Sequence, residues 1–350
     1  MANAIFSGVR ISGLACAVPN NVEKTENFAD SLSREELDEF IERVGVKERH
    51  VTLPEQTTSD LCFVAADNLL KRKNIDPKQI DGIIFITQTP DYTQPATAHI
   101  LHKRLGVSKD CFAFDVNLGC SGFTYGVFLA SSLIQSGAAG RILLLCGEIA
   151  RKNPMENVKN RMLFGDAGAA TILEKGDSEI RCLMKSDGKN YECLTVPGGQ
   201  CRQPPDSIES YWRSMTGHMD GESVLSFTIT EVPKAFKEFF KLYATSMDNY
   251  DYCILHQANL FMIQYIAKKL KIPAEKSPIA IDRYGNNSSA SVPVTIVDLC
   301  ERETTAQKLR LIASGFGVGL SWGVISFDLD KQDVLPMIFT DDYYQEAYRG

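Results

Sequence analysis

Two stretches of the chain follow one plan, and that repetition limits the folds open to it. From Cys120, a helix-length stretch rich in small residues runs to Gln135 and ends at Ser136-Gly137. It leads into the apolar run Arg141–Cys146, closed by Gly147. From Ser289, a second such helix (291–299) leads into Leu309–Ser314, closed by Gly315. Each half also feeds a strand from a glycine-rich turn, Gly165-Asp-Ala-Gly168 in one and Gly315-Phe-Gly-Val-Gly319 in the other. A duplicated α/β core with one site between its halves is the expected consequence.

The rest of the pattern agrees. Gly82–Thr87, Cys111–Val116 and Trp322–Phe327 read as strands, and Tyr252–His256 as a strand followed by a helix through Lys269. Strands alternating with helices predict a layered α/β protein. The 350 residues, 44% of them hydrophobic, suffice for a full core. The net charge of −7 removes nucleic acid or an anionic membrane surface as the default partner. No apolar run approaches the ~20 residues that span a bilayer. Met1–Phe6 lacks the basic start and apolar stretch of a signal peptide, so a cytoplasmic protein is expected. Between 195 and 225 the chain breaks into a Pro/Gly-rich loop of a length that usually serves a site. After Asp328 it turns polar, acidic and aromatic and reads as a surface tail.

Ten cysteines are scattered without a Cys-x-x-Cys pair, which argues for reduced, mostly buried thiols and against structural zinc. His99 and His102, the only close histidine pair, have no nearby third ligand and read as structural or exposed. Cys120 is different. It sits between Gly119 and Gly122, where a strand turns into a helix. A helix start favours thiolate, the nucleophilic form, and flanking glycines admit a bulky acyl group. The competing reading is a small buried residue at a strand–helix junction. Among the five histidines, His256 stands at a strand end, where open α/β sheets present their sites. Arg283–Pro293 offers Asn286 and Asn287 behind Gly285, either as functional amides or as turn and cap. Gly315–Gly319 is followed by a strand, not the helix a dinucleotide loop requires; its free N–H groups suit an oxyanion hole instead.

In sequence order, these segments resemble the β-ketoacyl-ACP synthase III family of the thiolase superfamily. The matching motifs are Gly45-Val-Lys-Glu-Arg49, Asp115–Gly126, Phe164–Ala170, Met219-Asp-Gly221 with Val224 and Phe227, His256-Gln-Ala-Asn259, Tyr284–Pro293 and Phe316–Gly323. The resemblance implies a thiolase-like fold with a duplicated five-layer α-β-α-β-α core. It implies an N-terminal half (1–175) carrying the nucleophile, a C-terminal half (176–328) carrying His and Asn, and the tail (329–350). It also implies a Cys120–His256–Asn286 triad, with the Cys120 and Val318 N–H groups as oxyanion hole and Phe164 lining the acyl pocket. The reaction implied is acylation of Cys120 by acyl-CoA, then decarboxylative Claisen condensation with a malonyl thioester, usually on acyl carrier protein. Coenzyme A enters only as a substrate thioester, without a resident cofactor or metal. A homodimer is implied as well, with the loop near Thr93-Gln94-Pro95 reaching the partner's pocket.

Four departures stand out. The family often places a tryptophan before Gly45 to stack the CoA adenine; here Phe40 is the candidate, with Arg43 and Arg151 as further CoA contacts. After His256 and Asn259, both expected at the substrate, Phe261 replaces a basic residue that docks the carrier. Lys268 and Lys269 could take over that contact. Gln94 stands where a bulky aromatic often gates the pocket, and the tail outruns the usual end. These changes suggest a specialised paralogue. The alternative reading is an acyltransferase that moves the Cys120-bound acyl group to an amine or alcohol without releasing CO₂.

Overall fold

A computed structural model describes residues 2–150, 152, 155, 157–198, 201–202, 206–207, 209–210, 215–302 and 304–345. Two long antiparallel strands, β1 (Ala2–Pro19) and β2 (Ala167–Ser186), form its spine. At one end β2 pairs with β3 (Arg141–Glu148), which continues in parallel to β4 (Gly82–Ile86) and then β5 (Phe112–Val116). At its other end β2 pairs with β6 (Ser321–Asp330), followed by β7 (Lys308–Gly317) and β8 (Tyr252–Leu255). The boundary expected at 175 falls inside β2, which runs unbroken from one half to the other.

Helices fill both faces, which is why the strands read as continuous apolar runs. Ile84 and Ile86 of β4 face an inner cluster with Phe123 and Val127 of α3 (Gly122–Gln135) and Ile296 and Leu299 of α6 (Ser291–Arg302). The alternate residues Ile83 and Phe85 face α1 (Thr58–Lys73) and α2 (Thr97–Leu105). On the far side, Ile312 of β7 and Val324 of β6 pack on α4 (Gly221–Tyr243) and α5 (Leu260–Leu270). Helices, sheet, helices, sheet, helices is the expected five-layer thiolase-like order. No described helix is long and apolar enough to cross a membrane.

The surface-tail expectation needs correction for residues 329–340. The Leu335 N–H bonds the Leu14 carbonyl, and β9 (Ile338–Thr340) pairs in parallel with Ala17–Pro19. Leu335 and Met337 are buried. The spine would otherwise expose an unpaired edge there, and these two apolar residues let the segment cover it. Beyond β9, Gln56 Nε2 donates to the carbonyls of Thr340 and Asp342, and the Arg104 guanidinium lies over the Tyr344 ring.

Candidate active site

Cys120 lies in the turn between β5 and α3, two residues before the helix starts. Of the ten cysteines it alone is partly accessible; eight are buried and Cys201 is exposed. It opens onto a cavity of about 480 Å³ walled in part by Glu148, Phe164, Leu194, Ser288 and Val318. A larger open groove of about 870 Å³, between α1 and residues 335–339, is lined by no cysteine, serine or histidine. Strand β7 passes so close that a Cβ on Gly317 would sit 2.6 Å from the Cys120 Cβ. Only glycine allows that approach. It brings the Val318 N–H, together with that of Cys120, onto the sulfur.

The thiol itself departs from expectation. Burial pushes it up to about 11, with Glu148 opposing ionisation and the Ser288 hydroxyl and the two N–H groups favouring it. The helix start lowers it less than the surroundings raise it, because removing a thiolate from water outweighs a few dipoles.

Asn286 is held from both sides. Its N–H donates to the Leu163 carbonyl (2.9 Å), and its own carbonyl accepts the Gly165 N–H (3.1 Å), so it is bridged to the segment that carries Phe164 into the cavity wall. Its side-chain Oδ1 accepts the Ser288 N–H at 2.9 Å, which turns the amide NH₂ away from Ser288. His256 follows β8, and its N–H bonds the Ser314 carbonyl of β7 (2.8 Å). Its ring stands edge-on to Phe316, 5.3 Å between centroids. Burial alone lowers its pKa to about 3, so the imidazole is neutral at physiological pH. Its Nδ1 is buried without a hydrogen-bond partner among the described residues. Such an unmatched polar atom in a native interior calls for a role. Neither His256 nor Asn286 is part of the cavity lining, and both are almost fully buried.

Other expected site residues fall elsewhere. Asn259 caps α5, its side chain accepting the Met262 N–H at 2.7 Å. An asparagine just before an apolar helix satisfies an orphan amide there, which accounts for its Oδ1. Arg43 is exposed and paired with Glu39 one helical turn away, and Phe40 is buried in the core and cannot stack an adenine. Phe261 is exposed beside Tyr265, over whose ring the Lys269 ammonium lies. Arg151 lies outside the described residues, as does much of the 195–225 loop. Its described parts include Thr195, paired with His218, and Val196, which lines the cavity.

Three contributors were missed. Glu148, at the end of β3, accepts the Gln88 N–H (2.8 Å) and the Thr89 hydroxyl (2.9 Å). Burial raises its carboxyl to about 8, so it is mostly neutral at pH 7. A lone acid directly behind an apolar strand was the available signal. Arg49 donates to the Phe164 carbonyl at 2.6 Å and also reaches the Arg161 carbonyl and the Glu23 carboxylate. It thereby pins the Phe164 segment. Ser288, within a quoted motif but without a role, places its Oγ 3.7 Å from the Cys120 sulfur.

Known proteins resemble this chain in sequence and in fold. Residues 114–189 match the model of the 3-oxoacyl-[acyl-carrier-protein (ACP)] synthase III family, and residues 243–329 match the family's C-terminal model. The β-ketoacyl-[acyl-carrier-protein] synthase III of Roseiflexus sp. is 33% identical, covering 89% of this chain and 95% of its own. The enzyme of the same name from Clostridium tetani is 33% identical, over 83% of this chain and 92% of its own. The crystal structure of a 3-oxoacyl-(acyl-carrier protein) synthase from Burkholderia xenovorans superposes with a TM-score of 0.89 at 34% identity, covering 97% and 99% of the two chains.

Proposed function

This chain belongs to the 3-oxoacyl-[acyl-carrier-protein] synthase III family of thiolase-like condensing enzymes, and from that premise we propose how its own residues divide the reaction. It is an acyltransferase of the synthase III type. Cys120 attacks the carbonyl of an acyl-CoA; the C–S bond to CoA breaks, and CoA leaves as its thiol. A malonyl thioester, carried on acyl carrier protein, then loses CO₂. The carbanion forms a C–C bond to the acyl carbon, and the Cys120 thiolate is released. The Cys120 and Val318 N–H groups stabilise the oxyanion of each tetrahedral intermediate. His256 and Asn286 stabilise the enolate. Family membership carries the overall reaction; the neutral His256, whose Nδ1 has no partner among the described residues, is the observation that supports its role, because an imidazole kept neutral donates one N–H without competing for the proton. Phe261, Tyr265 and Lys269 form an aromatic and cationic patch that suits an acidic carrier.

The test supplies a panel of acyl-CoAs with malonyl-carrier or malonyl-CoA. It follows intact mass and CO₂ release. One acyl mass on the protein followed by malonyl-dependent CO₂ release is expected. Acyl transfer to an added amine or alcohol without CO₂ would favour the alternative reading.

We also propose a homodimer built on β5. Among the described residues this strand pairs on one side only, with β4, and its Phe112 and Phe114 rings stack 5.9 Å apart while only half-buried. An apolar edge strand of this kind invites pairing with a second copy. Sedimentation should give a dimer for the wild type and a monomer for Phe114→Asp. A monomeric wild type at micromolar concentration would refute the proposal.

A further inference from the structure

We propose that Ser288 is a further catalytic residue, whose hydroxyl hydrogen-bonds the Cys120 sulfur as thiolate each time the nucleophile forms or is released. The inference rests on the reading of Cys120 as nucleophile. Ser288 Oγ lies 3.7 Å from that sulfur, and the residue lines the same cavity. Its backbone has φ of 48°, in the left-handed region that a serine rarely adopts. Residues held in such conformations concentrate where a site needs them. Here the turn directs the hydroxyl at Cys120 while the Ser288 N–H holds the Asn286 Oδ1 at 2.9 Å. One residue thus touches both the nucleophile and the amide assigned to the enolate.

The surroundings explain why a hydroxyl is needed. On β3 the Glu148 carboxyl, raised to about 8, is mostly neutral at pH 7, and from the end of β8 His256 is neutral, so neither brings a positive charge to the sulfur. The groups that favour thiolate are donors: the Ser288 hydroxyl and the N–H groups of Cys120 and Val318. During acyl transfer the two N–H groups move to the substrate oxyanion. The Ser288 hydroxyl is the donor that remains on sulfur. In acylation the thiol proton departs with CoA, so the hydroxyl stabilises charge and exchanges no proton.

The experiment measures iodoacetamide alkylation of Cys120, mapped by peptide mass, against pH for wild type, Ser288→Ala and Ser288→Gly. A hydrogen bond to a charged group corresponds to roughly 10- to 100-fold in rate at neutral pH. Both variants should show that loss and a profile displaced to higher pH, with a parallel loss in acylation by acyl-CoA. Glycine adopts φ of 48° without strain and keeps the N–H that orients Asn286, so it removes the CH₂OH group and leaves the backbone contact in place. A Ser288→Gly profile matching wild type would overturn the proposal and leave Ser288 a backbone role. Failure of wild type to acylate at Cys120 would instead overturn the nucleophile assignment, and the alkylation profiles would still decide whether Ser288 acts on the sulfur.

Discussion

Cys120→Ala should abolish acyl-enzyme formation and reduce condensation by roughly 10⁴–10⁶-fold, the range seen when a covalent nucleophile is removed. The size of this effect follows from the absence of a substitute. Burial raises the thiols of Cys16, Cys62, Cys146, Cys182 and Cys253 far above their ordinary range. Cys201 is exposed and does not line the cavity. Only Cys120 combines access with N–H donors. Because its thiol lies near 11 in the free protein, alkylation and acylation should both climb as pH rises through neutrality. The measurement is intact mass after incubation with acyl-CoA, followed by peptide mapping. Undiminished labelling of Cys120→Ala would sink the assignment.

Most of the strand and helix content was legible because both faces of the strands are buried. Gly82–Thr87 was expected and Gly82–Ile86 found; Leu309–Ser314 proved longer, running from Lys308 to Gly317. Continuous apolar runs between glycines leave few other solutions. The helix expected from Cys120 starts at Gly122, which leaves the nucleophile in the turn. Segments whose burial depends on distant partners were harder to read. Ile338–Thr340 looked like tail because its partner, Ala17–Pro19, lies over 300 residues away and nothing local marks the pairing.

The site divides in the same way. Cys120 stood out through glycine spacing, whereas the cap that Asn259 makes on α5 was not foreseen, because a helix cap and a polar ligand look alike in sequence. The thiol was expected to ionise easily, since its helix start is a local feature and the surrounding desolvation is not. Glu148, Arg49 and Ser288 act through contacts 59 to 168 residues distant, where one sequence carries no signal of proximity. Here spacing located the nucleophile better than it located the groups that tune it.

His256→Ala and Asn286→Ala should each lower malonyl decarboxylation by about 10²–10³-fold while leaving Cys120 able to acylate slowly. Cys120→Ala should retain some decarboxylation. This split follows from chemistry: losing CO₂ requires stabilised negative charge on the thioester oxygen, not the sulfur nucleophile. It also carries a pH signature. With its pKa lowered to about 3 by burial, His256 stays neutral across the working range. Decarboxylation should therefore show no histidine limb between pH 5 and 7, where an ordinary imidazole would titrate at about 6.5. A general-base role would instead give activity rising through that window. Because His256 and Asn286 are assigned to one developing charge, the double variant should lose less than the product of the single losses. Wild-type decarboxylation by His256→Ala, or a clear limb near 6.5, would show that the imidazole is not the neutral donor its burial makes it.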